Sequence, residues 1–428
     1  VCDIKETQFG DGLHIFGRKC QQILPFKTEC SELAEQQAIR NALSGKRISA
    51  GPSGSPYRGR MDVLPSGRNL FATDPLSVPT RAAYAQGIKL AEEFIRRHLQ
   101  DNGDWPSGVI VDLWGSATMR TAGEEFAMAL HLLGVKPLWA EGSERVSGFE
   151  ILPLVTLDRP RIDVTLRVSG LFRDVFPTLS NLYQQAILAV SKREESADWN
   201  PYISGSESAR IYGPAPGSYG LGMGFAPEQF SDDGRKAAAE AWLEASSYAI
   251  NGEKIYKDKE GLKDRVAKAD SFVHLQDMPE TDLLLSSDYA AHEAGFAAAK
   301  ASIGGNVSLY HLDNTDPENP TSRTLTEEIA RIVYARACNP NWLDGMKRHG
   351  FRGAAEISAT LVHMAAFANL ADVVGSHLFD SYHDATIGND DIVKFMSEHN
   401  PEALTAMRDC FEQLYNSGLW KTRRNFIL

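Results

Sequence analysis

In GMKRHGFRGAAEISATLVHMAA, a histidine (His349) stands near the start of a helical pattern and Glu356 follows seven residues later. Seven residues make two helical turns, so a base and a carboxylate would share nearly the same face. Such a pair can pass protons or hold a metal ion briefly. The alternative stays open: His349 ends a turn and Glu356 pairs with Arg352. A second signature is cationic. The stretch KRISAGPSGSPYRGRMDVLPSGRN, residues 46–69, carries five basic residues and one acidic one in a chain of net charge −12. Its glycines and prolines keep it from being a regular helix or strand, so Arg58, Arg60 and Arg68 sit on a loop whose backbone N–H groups are also free. That chemistry is recognition of an anion.

Two further stretches place polar groups beside apolar runs. In DLWGSATMRTAGEEF, Arg120 and Glu124 follow an apolar strand and either contact a ligand or pair with each other four residues apart. RPRIDVTLRVSGLFRDVFP adds Arg159, Arg161, Arg167 and Arg173, and guanidinium groups suit a bidentate grip on carboxylates. His311 and His363 read as structural histidines. The chain has no GxxxxGK[ST] loop, which argues against nucleotide hydrolysis by this chain. It has no HExxH or Cys/His quartet for a closed zinc site, and GPSGS is not a nucleophile elbow. The glycines of GSYGLGMG do not lie between a clear strand and a helix, so they make a poor dinucleotide fingerprint.

These groups need elements to position them. Residues 76–139 read as helix (VPTRAAYAQGIKLAEEFIRRHLQ), strand (GVIVDLWG), helix (TAGEEFAMALHLLG) and strand (VKPLWA). VIVDLW is apolar nearly throughout, as expected of a strand covered on both faces of a parallel sheet, and ligands gather at the carboxyl ends of such strands. FEILPL and IDVTLRVSG read as a second strand pair, with Arg167 on the polar face of the latter. A helix from about 174 to 192 precedes a Gly/Pro-rich stretch, 197–234, too long for a simple connector. SFVHL and GGNVSLYHLD return the chain to strand, and from Thr321 onward nearly everything reads as helix. The expected class is α/β: layered α/β regions with a mainly parallel sheet, followed by a helical C-terminal region. Four segments are expected: 1–75 with the Arg/Gly-rich loop, 76–200 as an α/β domain, 201–320 as a second α/β region with the Gly/Pro-rich loop, and 321–428 as helices.

The 428 residues, 43% hydrophobic and 23% charged, are ample for several domains. No apolar run approaches the roughly 20 residues of a membrane helix, so membrane insertion is not expected. The acidic balance argues against nucleic-acid binding through bulk electrostatics. Five scattered cysteines without CxxC spacing fit free thiols in a reducing cytoplasm. The opening VCDIKETQFG lacks an initiator methionine and reads as an internal segment of something longer.

GDGLHIFG, GPSGSPYRGRMDVLPSGRNLFATDPLSVPT, DLWGSATMRTAGEEFAMALHLLGVKP, RVSGFEILPL, RPRIDVTLRVSGLFRDVFP, ESARIYGPAPGSYGLG and NPNWLDGMKRHGFRGAAEI, in that order, resemble the large subunit of aerobic cobaltochelatase and the related H subunit of magnesium chelatase. The arginine-rich motif is closer to the cobalt enzymes. The resemblance implies the C-terminal third of a longer tetrapyrrole-binding subunit, inactive by itself. Such a subunit inserts Co2+ into hydrogenobyrinic acid a,c-diamide, a corrin, in cobalamin biosynthesis, with ATP hydrolysed by AAA+ partner subunits. A magnesium chelatase H-like subunit using Mg2+ is the alternative, as is a non-catalytic scaffold that binds tetrapyrrole or docks the ATPase. His349 and Glu356 fall on the family's HG(Y/F)xGxxE motif and Glu6 on its KE pair, which implies proton handling. Arg58, Arg60 and Arg68, helped by Arg167, Arg173 and Arg210, would hold peripheral carboxylates of the ring; Arg120, Glu124, Tyr219, Gln276 and Asp277 complete the implied substrate contacts. The chain departs from the family in HLQDMPETDLLLSSDYAAHEAGFAAA: His274 and Leu275 precede Gln276 and Asp277 where Asn-Gln-Asp is usual, and Ala291-His292 replace an aromatic and amide pattern. HMAAFANLADVVGSHLFDSYHDA also diverges from the usual tyrosine-containing segment.

Overall fold

The computed structural model describes residues 30–52, 63–71, 74–203, 208–223, 230–252 and 254–423. Twelve strands lie among them. The first six are β1 (Ala50–Pro52), β2 (Asn69–Phe71), β3 (Gly108–Leu113), β4 (Val135–Trp139), β5 (Val146–Ile151) and β6 (Asp163–Val168). The rest are β7 (Ile211–Gly213), β8 (Tyr248–Asn251), β9 (Lys254–Lys257), β10 (Ser271–Gln276), β11 (Ser308–Asp313) and β12 (Thr321–Thr324). Eight of them form one sheet in the order β12-β11-β10-β3-β6-β7-β8-β9. Its inner ladders, from β11 through β10, β3 and β6 to β7, are parallel, and the outer strands β12, β8 and β9 pair antiparallel. This is the α/β class read from the sequence. From β3 the chain builds outward through β6 and β7 on one side, then through β10 and β11 on the other. The boundary between β3 and β10 is thus a topological switch point, where α/β folds open a crevice at the strands' carboxyl ends.

Alternating side chains of β3 feed two cores. Val109 and Val111 pack with Val164 and Leu166 under the helices Arg81–Asn102, Glu124–Leu133 and Pro177–Val190. Ile110 joins Phe272, Trp242 and Phe296 on the other face, in a core that runs on into Leu361, Met364 and Phe367 of the helix Phe351–Ala371. Covering both faces explains why VIVDLW is apolar almost throughout. The helix Arg81–Asn102 begins where expected, with Thr80 Oγ1 accepting from Ala83 N (3.1 Å), and ends on Gly103 at φ 76°.

Several expectations change. VKPLWA does not join the main sheet: Gly134 (φ 83°) turns the chain away, and β4 pairs antiparallel with β5 in a separate ribbon. FEILPL therefore belongs with β4 and not with β6. The polar side of β6 is not solvated either. Asp163 accepts from Arg210 and Arg265, Thr165 accepts from Arg265, and Arg167 is 2% exposed, because a second helical layer covers that face. TAGEEFAMALHLLG is broken at Ala122 (φ 56°) and Gly123 (φ 91°), which separate the helix Gly115–Thr121 from Glu124–Leu133. Thr321–Thr324 is an edge strand before the helices begin. In the one sheet the adjacent strands β3 and β6 of 76–200 are flanked on both sides by strands of 201–320. The helix Phe351–Ala371 is long and apolar enough to cross a membrane, contrary to the expectation that no such run exists; 78% of its apolar window is buried against the rest of the protein.

Candidate functional site

Strand register lines up a row of polar residues on one side of the sheet near its carboxyl edge. Arg323 pairs with His311, His311 with His274, His274 with Asp112, Asp112 with Arg167 and Arg167 with Tyr212. Paired residues of neighbouring strands project to the same face, so this row is one band of titratable groups crossing the switch point. Asp112, 3% exposed, is its hub. Its Oδ1 accepts from Arg167 Nη1 (3.2 Å), and its Oδ2 lies 2.7 Å from Trp114 Nε1, 3.3 Å from His274 Nδ1 and 2.8 Å from His292 Nδ1.

His292 arrives from a different layer. The turn Ala290–Ala294 is wound as a π-helix, leading into the helix Gly295–Ile303. This wider winding, common at functional sites, lets consecutive residues both face the sheet. His292 meets Asp112, and Glu293 Oε1 comes within 3.4 Å of His311 Nδ1, both groups being 1% exposed. His292 Nδ1 is also 2.8 Å from Arg167 Nη1, so it can donate to the carboxylate or accept from the guanidinium, one at a time. Burial alone would raise the Asp112 carboxyl, but His292 and Arg167 outweigh it and hold the group well below the usual carboxylate range. Burial likewise opposes protonation of His274, yet the hydrogen bond to Asp112 and the nearby Glu293 carry its pKa above the ordinary histidine value. For His292 burial wins, keeping it neutral more readily than a free histidine.

In front of this row lies a cleft of about 200 Å³ lined by Asp112, Trp114, Arg120, Glu125, His274, Asp277 and Tyr289, among others. Trp114 and Tyr289, both lining it, stack at 5.3 Å with an interplanar angle of 21°, which makes that side aromatic. Arg120, from the helix Gly115–Thr121, makes a bidentate pair with Asp277 (2.8 Å twice). Glu125 is 1% exposed and forms no salt bridge among the described residues, with Arg120 its nearby charge; Thr118 and Thr121 hydrogen-bond its two oxygens at 2.8 and 2.9 Å. Burial pushes its pKa up to about 7. The cleft thus offers a cationic grip, an aromatic wall, an oriented imidazole and a carboxyl poised near neutrality, which is equipment for binding a flat polar ring and exchanging protons with it. Among the described residues no group of three or more His, Cys, Asp or Glu side chains is placed to hold a metal ion.

The residues singled out from sequence scatter more widely. Arg120 and Asp277 line the cleft. Gln276 stands at the end of β10 and donates to the carbonyls of Met278 (2.5 Å) and Thr281 (3.1 Å). Glu124 accepts from Asn314 Nδ2 (2.6 Å) instead of pairing with Arg120, since the break at 122–123 turns the two apart. Arg167 is engaged with Asp112, Arg210 with Asp163, and Arg173 with Asp174 and the carbonyls of Pro214 and Ala215. Tyr219 is 60% exposed and donates to Asp174 Oδ2. Arg68 donates to the carbonyls of Leu64 and Pro65. Glu6, Arg58 and Arg60 lie outside the described residues.

His349 and Glu356 do not share one helix. Gly350, at φ 55°, ends the turn that holds His349, and the helix starts only at Phe351. His349 Nε2 is buried without a hydrogen-bond partner among the described residues, Glu356 pairs with Arg352, and neither lines the cleft. Sequence reasoning missed Asp112, Glu125 and the joint position of His274 and His292. The first two looked like an ordinary strand end and a helix start, although Asp112 is the single polar residue of its strand.

A family model described as CobN/Magnesium Chelatase matches residues 18–427. The chain is 41% identical over 416 residues to the aerobic cobaltochelatase subunit CobN of Sinorhizobium sp, covering 92% of this chain and 33% of the relative. It is 27% identical over 426 residues to the chloroplastic magnesium-chelatase subunit ChlH of Oryza sativa subsp. japonica, covering 94% of this chain and 31% of the relative. The solved catalytic subunit of cobaltochelatase from Mycobacterium tuberculosis superposes with a TM-score of 0.86 at 32% identity, covering 92% of this chain and 35% of that one. The chain spans about a third of the length of the curated relatives it matches.

Proposed function

The chain belongs to the CobN/Magnesium Chelatase family, and from that premise we propose that it is part of the tetrapyrrole-binding large subunit of a metal chelatase, with the cleft at the β3/β10 switch point forming part of the macrocycle site. The observation that carries this reading is the cleft itself: the aromatic Trp114 and Tyr289 side would suit a conjugated ring, and the Arg120 guanidinium, now paired with Asp277, could take a ring carboxylate in its place. Cobalt is favoured over magnesium because identity is 41% and 40% to two CobN subunits and 27% to a ChlH subunit. The reaction would join Co2+ to hydrogenobyrinic acid a,c-diamide in cobalamin biosynthesis. ATP would be hydrolysed by AAA+ partners, in keeping with a chain that has no GxxxxGK[ST] loop. His349, Glu356 and Glu6 remain proposed proton-handling groups on the strength of their motifs, and Arg58, Arg60 and Arg68 proposed contacts to ring carboxylates.

The test uses the full-length subunit with its ATPase partners, ATP, either Co2+ or Mg2+, and corrin or porphyrin acceptors, with insertion read by absorbance. Cobalt entry into the corrin is expected. Magnesium entry into a porphyrin would move the protein to the other branch of the family, and binding without insertion by either metal would make it a scaffold.

A further inference from the structure

Glu125 has a hydrogen-bonding arrangement suited to both of its protonation states. Thr121 Oγ1 accepts from the backbone N–H groups of Gly123 and Glu124 (3.2 Å each), so its own hydrogen is directed to Glu125 Oε2 at 2.9 Å. Thr118 Oγ1 has two acceptors within reach, Glu125 Oε1 at 2.8 Å and the Trp114 carbonyl at 3.0 Å, but one hydrogen to give. With Glu125 ionised, Thr118 donates to it. With Glu125 protonated, Thr118 turns its hydrogen to the Trp114 carbonyl and accepts the new O–H. Neither state leaves a buried polar atom unpaired, which is the usual penalty for changing the charge of a buried group.

Resting on the chelatase reading above, we propose that Glu125 takes the proton from a macrocycle nitrogen facing the cleft as the metal enters, with the Thr118 hydroxyl reversing direction to receive it. In that step the N–H bond breaks heterolytically, its electron pair stays on the ring nitrogen and is shared with the incoming divalent cation, and the proton ends on Glu125 Oε1. No oxidant or reductant is required. Burial holds this carboxyl at about 7, so near neutral pH it is ionised often enough to accept a proton and basic enough to keep one. The charged and titratable groups that share the cleft with it are Arg120, Asp277, Asp112, His274 and Tyr289. Arg120 is held by Asp277 and, without a salt bridge to Glu125, feels its charge across the cleft.

The experiment compares wild type with Glu125→Gln in the full-length subunit with its ATPase partners, measuring macrocycle affinity by fluorescence quenching and insertion rate by absorbance from pH 5.5 to 8.5. The expected result is affinity within about twofold of wild type, insertion slowed about 100-fold, and absence of the rate increase expected of wild type as pH rises through about 7. Insertion at the normal rate with that increase intact overturns the proposal. So does loss of macrocycle affinity, which would make Glu125 a binding group. If wild type binds no macrocycle at all, the chelatase reading falls and takes this inference with it. Should Glu125→Gln not fold, Thr118→Val and Thr118→Ser decide: the valine variant is slowed and the serine variant is not, whereas equal rates for both overturn the switch.

Discussion

A single carboxyl shows what the cleft costs the fold. The Glu125 pKa is raised from 4.5 to about 7 in the folded chain by burial. The group is therefore tolerated in full while protonated, below pH of about 4.5, and its ionisation removes stability as pH rises toward 7, with a plateau beyond. At about 1.4 kcal/mol per pH unit the loss is about 3 kcal/mol. Denaturant unfolding of wild type and Glu125→Gln at several pH values checks this. The variant should gain on wild type between pH 5 and 7 and hold the gain at pH 8; parallel profiles for the two proteins would contradict it. This residue was hard to read from sequence, because a Glu-Glu pair opening a helix is normally a solvated first turn favoured by the helix dipole. Only the crossing of this helix beneath the cleft makes the second Glu a buried acid. His349 teaches the converse: its spacing from Glu356 is helical arithmetic, but Gly350 interrupts the helix between them.

At the level of elements, the carboxyl edge depends on close approach between two strand-to-helix turns. The helix Gly115–Thr121 that carries Thr118 and Arg120 follows β3, and the helix Gly170–Val175 follows β6. They touch at Gly115, where an added Cβ would lie 2.5 Å from Phe172 N, a backbone atom that cannot move aside alone. A glycine-to-alanine change in a helix ordinarily stabilises by up to about 1 kcal/mol; here Gly115→Ala should instead destabilise by about 1–3 kcal/mol through overpacking. Chemical denaturation gives the sign directly, and a stabilised Gly115→Ala would show that the two helices can part freely. Periodicity was enough to read the apolar strands and the helix Arg81–Asn102. It could not tell that the polar side of β6 is covered, since alternation in Asp163, Thr165 and Arg167 looks the same whether those groups meet water or, as here, Arg210, Arg265 and Asp112.

Across the whole molecule, the helical C-terminal part is not an appendage. One apolar core runs from Ile110 and Phe272 of the sheet to Phe367, Phe395 and Phe411. Arg336, fully buried, makes a bidentate pair with Asp282 (2.6 and 3.0 Å), tying the helices to the loop that follows Asp277. Arg336→Ala leaves Asp282 without that guanidinium in the interior and should cost about 3–5 kcal/mol. Calorimetry of the chain should show one unfolding transition; separate melting of the helical part would refute a shared core. This scale was the least legible in the sequence. Strand order is set by contacts between distant residues, so 76–200 and 201–320 read as separate regions, and the two histidine partners of Asp112 lie 162 and 180 positions away, beyond any local window.

The five-residue turn that delivers His292 and Glu293 contains one more residue than an ordinary helical turn would. Removing any residue between Ala290 and Ala294 would let the backbone relax to regular winding and rotate the preceding segment against Gly295–Ile303 by about 100°. The imidazole would swing off Asp112 even if every side chain were retained. Chain length at this point therefore guards the cleft as strictly as residue identity, and homologues that shorten it must wall that side of the crevice with a different group.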